Sequence, residues 1–238
     1  MVNKDSTNMS NTTNITTTAM TAYISFSIPY FILCLFNDAS VFYYILGFLI
    51  YTLVIQISIN IWASTKICQV DDSKTPNMYK ALGYTIIPWL LIICITTFIL
   101  YVMPGWVRIF SNTIGLAVAQ SIYYHLFTIP KPADDDGRNS LINDIYHDPS
   151  KIINEIGYLP TFKEWYENIY SYLRTIPYFN NEAFNFSGSP ETIDTQHPLY
   201  ELYKCVSIKE KIGYFIWLFL IGAIFVLVSL SQMYESDC

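Results

Sequence analysis

Residues 41–63, 81–103 and 212–231 contain no Asp, Glu, Lys or Arg. Coiled as helices at about 1.5 Å per residue, each is long enough to cross a hydrocarbon core of about 30 Å. At an ordinary charged fraction of roughly a quarter, a 23-residue window escapes charge by chance about once in a thousand. Three such windows in one chain therefore demand a membrane. Lipid takes the place of a soluble core.

Charge elsewhere narrows the function classes. Charged residues make up 13% of the chain, and the net charge is −6. Nucleic-acid binding needs clustered Lys and Arg to displace counterions from phosphates, and no basic patch interleaved with aromatics exists, so no nucleic-acid partner is expected. The five cysteines, Cys34, Cys68, Cys94, Cys205 and Cys238, are scattered and form no C-x-x-C pair. That spacing argues against a metal site. Cys34 and Cys94 read as small apolar side chains, whereas Cys68 and Cys205 lie near membrane ends, where acylation or pairing is the alternative.

Along the chain, residues 1–20 form a Ser/Thr/Asn tract whose composition predicts a disordered tail. It holds the glycosylation patterns Asn8-Met9-Ser10, Asn11-Thr12-Thr13 and Asn14-Ile15-Thr16. Residues 22–36, interrupted by Pro29, predict a thin first span, the alternatives being a re-entrant segment or a signal-peptide core. Span two covers 41–63, and there Gln56 and Asn60 share a helix face at i,i+4 spacing, suited to interhelical hydrogen bonds. The third runs over 81–103 with a kink expected at Pro88 and a sharp end at Pro104-Gly105. Residues 109–127 predict a fourth, less apolar span, introduced by Trp106 and Arg108 at an interfacial position. Residues 212–231 form the last, with Lys209 and Lys211 as interfacial anchors at its start and 232–238 as a short tail.

Five crossings put the tail, the 64–80 loop and the 128–211 region on one side, with twelve of the thirteen Lys and Arg; Arg108 alone falls opposite. The excess of basic residues assigns that side to the cytoplasm. Failure of 22–36 to cross moves only the tail.

The acidic 128–211 region is patterned for helices. Thr161-Phe162-Lys163-Glu164 fits a capping box, and Phe162, Trp165, Ile169, Tyr172 and Leu173 follow helical spacing along one face. That stripe packs either on neighbouring helices expected at 141–146, 150–156 and 199–208, or on a protein partner or membrane surface. Asp134-Asp135-Asp136-Gly137 lacks the later ligands of a calcium loop and reads as a solvated linker.

Catalytic signatures are absent: the sequence contains no H-E-x-x-H, G-x-S-x-G or P-loop, and His125, His147 and His197 stand far apart. The reading is a non-enzyme with no cofactor and no metal. Ionisable groups, which pumps and transporters place inside the bilayer, are missing from the spans except for the titratable His125. Gln56, Asn60, Asn112 and Gln120 remain as interhelical polar contacts, or as the lining of an oligomeric pore. Ser111, Gly115 and Ala119 recur every four residues, the small-xxx-small spacing that lets helix backbones approach closely.

Two stretches carry a resemblance. Pro104-Gly105-Trp106-Val107-Arg108-Ile109-Phe110-Ser111-Asn112-Thr113-Ile114-Gly115, and Leu141 to Ile156 with Asp148-Pro149-Ser150-Lys151-Ile152-Ile153-Asn154-Glu155 at its centre, resemble an uncharacterised membrane-protein family of large nucleocytoplasmic DNA viruses of the mimivirus and phycodnavirus type. The likeness covers about 100–160. It implies a multi-pass component of the virion's internal membrane or of the host endomembrane from which that is derived, and it implies no catalytic residue.

The expectation is thus an all-α, multi-pass transmembrane helical protein of four or five spans with a small helical polar region before the last span. Its expected partners are the lipid bilayer, a capsid or assembly protein docked at 128–211, and further copies of itself. The leading function is a nonenzymatic scaffold; the alternative is an oligomeric, viroporin-like pore.

Overall fold

The computed structural model describes residues 4–37, 41–68, 78–127, 148–157, 162–173 and 198–235. The described elements are all helical. In chain order they are α1 (Lys4–Leu35), α2 (Val41–Cys68), α3 (Met78–Val102), α4 (Gly105–Phe110), a π-helical turn (Ser111–Gly115), α5 (Leu116–Ile122), a 3-10 turn (Tyr124–Phe127), α6 (Pro149–Glu155), α7 (Phe162–Leu173) and α8 (Pro198–Glu235). Four stretches are long and apolar enough to cross a membrane: Thr12–Leu35, Val41–Cys68, Met78–Val102 and Tyr200–Glu235.

The chain divides into two compact units. The first draws on 1–37, 44–104 and 215–238, the second on 38–43 and 105–214. In the first unit, Ile15, Ala19 and Tyr23 lie on successive turns of α1. They pack with Ile59, Ala63, Ala81, Val226, Leu230 and Met233. Lipid gives helices no hydrophobic reason to associate, so close van der Waals contact holds such a bundle, and Ala19, Ala63 and Ala81 permit it. A second cluster joins Phe48, Leu49, Ile93, Phe215 and Leu218. Phe31 stacks on Phe215 at 4.0 Å between ring centroids. Gly222 is required for the approach of α1: a Cβ there would collide with the Tyr23 hydroxyl, which is pinned by its bond to the Phe219 carbonyl at 3.1 Å.

The 1–20 tract departs from its expected disorder, because α1 is helical from Lys4. Composition missed the partner surface. Ile15 and Ala19 are buried, Tyr234 donates to the Thr12 carbonyl at 3.1 Å, and hydroxyls within the tract bond back along the helix, as Thr18 does to the Asn14 carbonyl at 2.8 Å. The first span accordingly begins ten residues before position 22, at Thr12. Helices α1 and α3 run on through Pro29 and Pro88.

In the second unit, the expected span over 109–127 is helical from Gly105 to Ile122 with a π turn at Ser111–Gly115, and it is not among the four spanning stretches. Its helix ends at Ile122, and Tyr123 leaves the helical conformation at φ −111°, ψ 43°. The expected helix at 199–208 and the last span are one helix of 38 residues, about 57 Å long at 1.5 Å per residue. No helix breaker separates them, and every residue from Cys205 to Gly213 is buried. Consecutive residues point in all directions around a helix, so α8 is enclosed on all sides there. Lys209 and Lys211 are therefore buried and are not interfacial anchors. The expected helix at 150–156 is present as α6, whereas the one at 141–146 and the Asp134–Gly137 linker lie outside the described residues.

Candidate functional site

The densest polar constellation in the second unit surrounds the buried charged run of α8. Lys209 is fully enclosed, and its ammonium donates to Asn112 Oδ1 at 3.0 Å and to the Ile153 carbonyl at 2.8 Å. That carbonyl belongs to the last turn of α6, where the helix has no further N–H to offer it. One lysine thus ties α8, the π turn and the end of α6 together. Beside it, the Ser111 hydroxyl donates to Glu210 Oε1 at 3.2 Å. A buried charge is tolerated only when such bonds replace its water.

Glycines set the distance over which these bonds form. A Cβ on Gly115 would stand 2.5 Å from the Lys209 carbonyl oxygen, and one on Gly213 would stand 2.8 Å from Ser111 Cβ and 2.9 Å from the Val107 carbonyl oxygen. Backbone therefore lies on backbone. On an α-helix a four-residue repeat drifts about 40° per step. The wider π turn at Ser111–Gly115 reduces that drift between the two small residues that meet α8. Ala119, the third of them, is also buried.

Toward the start of α8, His125 Nε2 lies 2.6 Å from Glu201 Oε2. Tyr123 sits close by, and burial together with Cys205, Glu201 and Tyr200 pushes its phenol up to about 12, so it stays neutral. Trp165, for which packing on neighbouring helices and a partner-docking face were the two readings, is fully buried, its ring edge-on to Tyr203 within the expected 199–208 helix at 5.8 Å. A helix packed there has no free surface at that position. The side chains of Phe162, Ile169, Tyr172 and Leu173, the capping residue Thr161, and His147 and His197 lie outside the described residues.

The other polar group lies in the first unit. Gln56 Nε2 donates to Asn60 Oδ1 at 3.0 Å, Asn60 Nδ2 donates to Thr85 Oγ1 at 2.8 Å, and the Thr85 hydroxyl donates to the Ala81 carbonyl at 2.7 Å. All three side chains are buried. Gln120, by contrast, is exposed. Among the described residues no group of three or more His, Cys, Asp or Glu is arranged to hold a metal ion. Cys34, Cys94 and Cys205 are free thiols, while Cys68 is disulfide-bonded.

Thr85, Lys209 and Glu210 are the participants that sequence reading missed. The signal for the last two was the absence of any helix breaker between Pro198 and the apolar run. For Thr85, a hydroxyl four residues after Ala81 in an apolar helix carries no mark of its own.

This fold and these sites define the class: an all-α, multi-pass integral membrane protein whose helices are joined by buried polar ties. No protein-family model, curated protein or solved structure matches the chain.

Proposed function

We propose that this chain is a nonenzymatic membrane scaffold whose acidic region at 128–211 docks a partner protein. What supports the reading is the use of its polar groups. Gln56 bonds to Asn60 and Asn60 to Thr85, and Asn112 is taken by Lys209. A pore needs such groups facing its lumen, whereas here they hold helices together. The resemblance carried by 104–115 and 141–156 supports the further proposal that the scaffold belongs to a viral internal membrane, with a capsid or assembly protein as the partner.

In planar bilayers the purified protein should add no conductance to that of lipid alone. An ion current abolished by Gln120→Leu or Asn112→Ala would replace the scaffold with an oligomeric pore. Crosslinking from 128–211 in particles or infected membranes should capture a specific protein partner, and its absence counts against docking.

Sidedness belongs to the same proposal. Disulfides persist where thiols are oxidised, so Cys68, at the carboxyl end of α2, is assigned to the non-cytosolic face. Four crossings then put the start of α1 on that face and α4 to α7 on the cytosolic one, separating segments that five crossings would keep together. Of the thirteen Lys and Arg, setting aside Lys4, Lys66, Lys74 and Lys80 leaves nine between 103 and 211, the excess expected of a cytosolic region. Trypsin added to sealed vesicles with their cytosolic face outward should cut within 128–197. Protection of that stretch until detergent is added would reverse the assignment.

A further inference from the structure

Within the first unit lies a cavity of about 10 Å³ to which all four spanning helices contribute, through Tyr23, Thr52, Gln56, Trp89 and Gly222. Gln56 is 2% exposed, and its Oε1 accepts from no protein group. An unpaired amide oxygen in the hydrocarbon region costs several kcal/mol, because lipid offers no donor.

The sense of the hydrogen-bond chain fixes what the cavity wants. The Thr85 proton goes to the Ala81 carbonyl, so Thr85 Oγ1 accepts from Asn60 and Asn60 in turn accepts from Gln56. The chain engages Gln56 through its amide nitrogen and leaves its oxygen without a donor. The two lining hydroxyls have also committed their protons, and besides them the lining holds the indole of Trp89. Thr52 donates to the Phe48 carbonyl at 2.8 Å and Tyr23 to the Phe219 carbonyl at 3.1 Å. Three oxygens line the site, and all can only accept.

We propose that this cavity is a binding site for one water molecule, which donates to Gln56 Oε1 and, one helical turn earlier, to Thr52 Oγ1. Its volume matches the least that holds a water, and two to four polar partners are what a buried water requires. A bare cation would also favour oxygens, but three neutral ones against walls of Phe48, Leu49, Ile93 and Phe225 do not replace an ion's hydration shell. The water completes the chain Gln56–Asn60–Thr85, so the tie between α2 and α3 extends into the centre of the bundle.

The test uses the full chain in lipid nanodiscs, with solid-state NMR reading magnetisation transfer from water to the Gln56 side chain. Transfer should be present in the wild type and lost in Thr52→Val, which removes one acceptor and keeps the shape. The Asn60 amide signal, unchanged in that variant, reports that the helices remain in place. No transfer in the wild type would overturn the site. So would transfer that Thr52→Val leaves intact. A shift of the Gln56 signal when sodium is replaced by choline would make the occupant a cation and overturn the water assignment.

Discussion

Gly115→Ala should cost the second unit on the order of 1–3 kcal/mol, and Gly115→Leu should prevent its assembly. The added Cβ meets the Lys209 carbonyl oxygen at 2.5 Å and the Lys209 carbonyl carbon and Cα at 3.3 Å. All three are backbone atoms of a helix enclosed on every side, so none can rotate away. Forcing α8 outward would also stretch the bonds of Lys209 to Asn112 and Ile153. Gly213→Ala, which meets the Val107 carbonyl oxygen at 2.9 Å, should behave likewise. Gly83 provides the control, with nothing within 4 Å of its added Cβ. There alanine should be neutral or stabilising by up to about 1 kcal/mol, through helix propensity. Thermal unfolding in detergent, monitored by gel filtration, compares the three. A Gly115→Ala protein as stable as Gly83→Ala would remove the close backbone approach.

Lys209→Met should cost roughly 2–5 kcal/mol. Methionine keeps the unbranched shape but takes the ammonium from Asn112 Oδ1, which keeps only the Ser111 hydroxyl at 3.4 Å, and from the Ile153 carbonyl. The second loss is local: α6 has only seven residues, too few to persist without tertiary support. Hydrogen exchange should therefore accelerate at 149–156 while the spans α2 and α3 keep their protection. Asn112→Ala should cost less, since it removes one acceptor and leaves the bond to Ile153. The double variant should fall short of the sum of the singles, because both remove one shared bond. Full additivity would mean that Lys209 and Asn112 do not interact.

The spans were legible because hydropathy is a local sum. A stretch such as 81–103 reports its own cost in water whatever surrounds it, and α3 follows it closely. The i,i+4 spacing of Gln56 and Asn60 was equally local, whereas the acceptor Thr85 could not be named, since it stands 25 residues away. Residues 109–127 misled for the converse reason. Their lack of Asp, Glu, Lys and Arg suggested lipid, while Ser111 and Asn112 answer to charges on α8 that lie 99 and 97 positions further on.

The amino-acid sequence by itself determined that this protein is helical and membrane-embedded, because uncharged runs of such length are stable only with every backbone group bonded internally and surrounded by lipid. Tertiary structure alone decided that the Ser/Thr/Asn tract becomes part of a spanning helix, that the helix begun at Gly105 widens into a π turn and stops at Ile122, and that Lys209 and Glu210 go inside. Those outcomes depend on small residues and hydrogen-bond partners brought together from distant parts of the chain, and no local composition encodes such meetings.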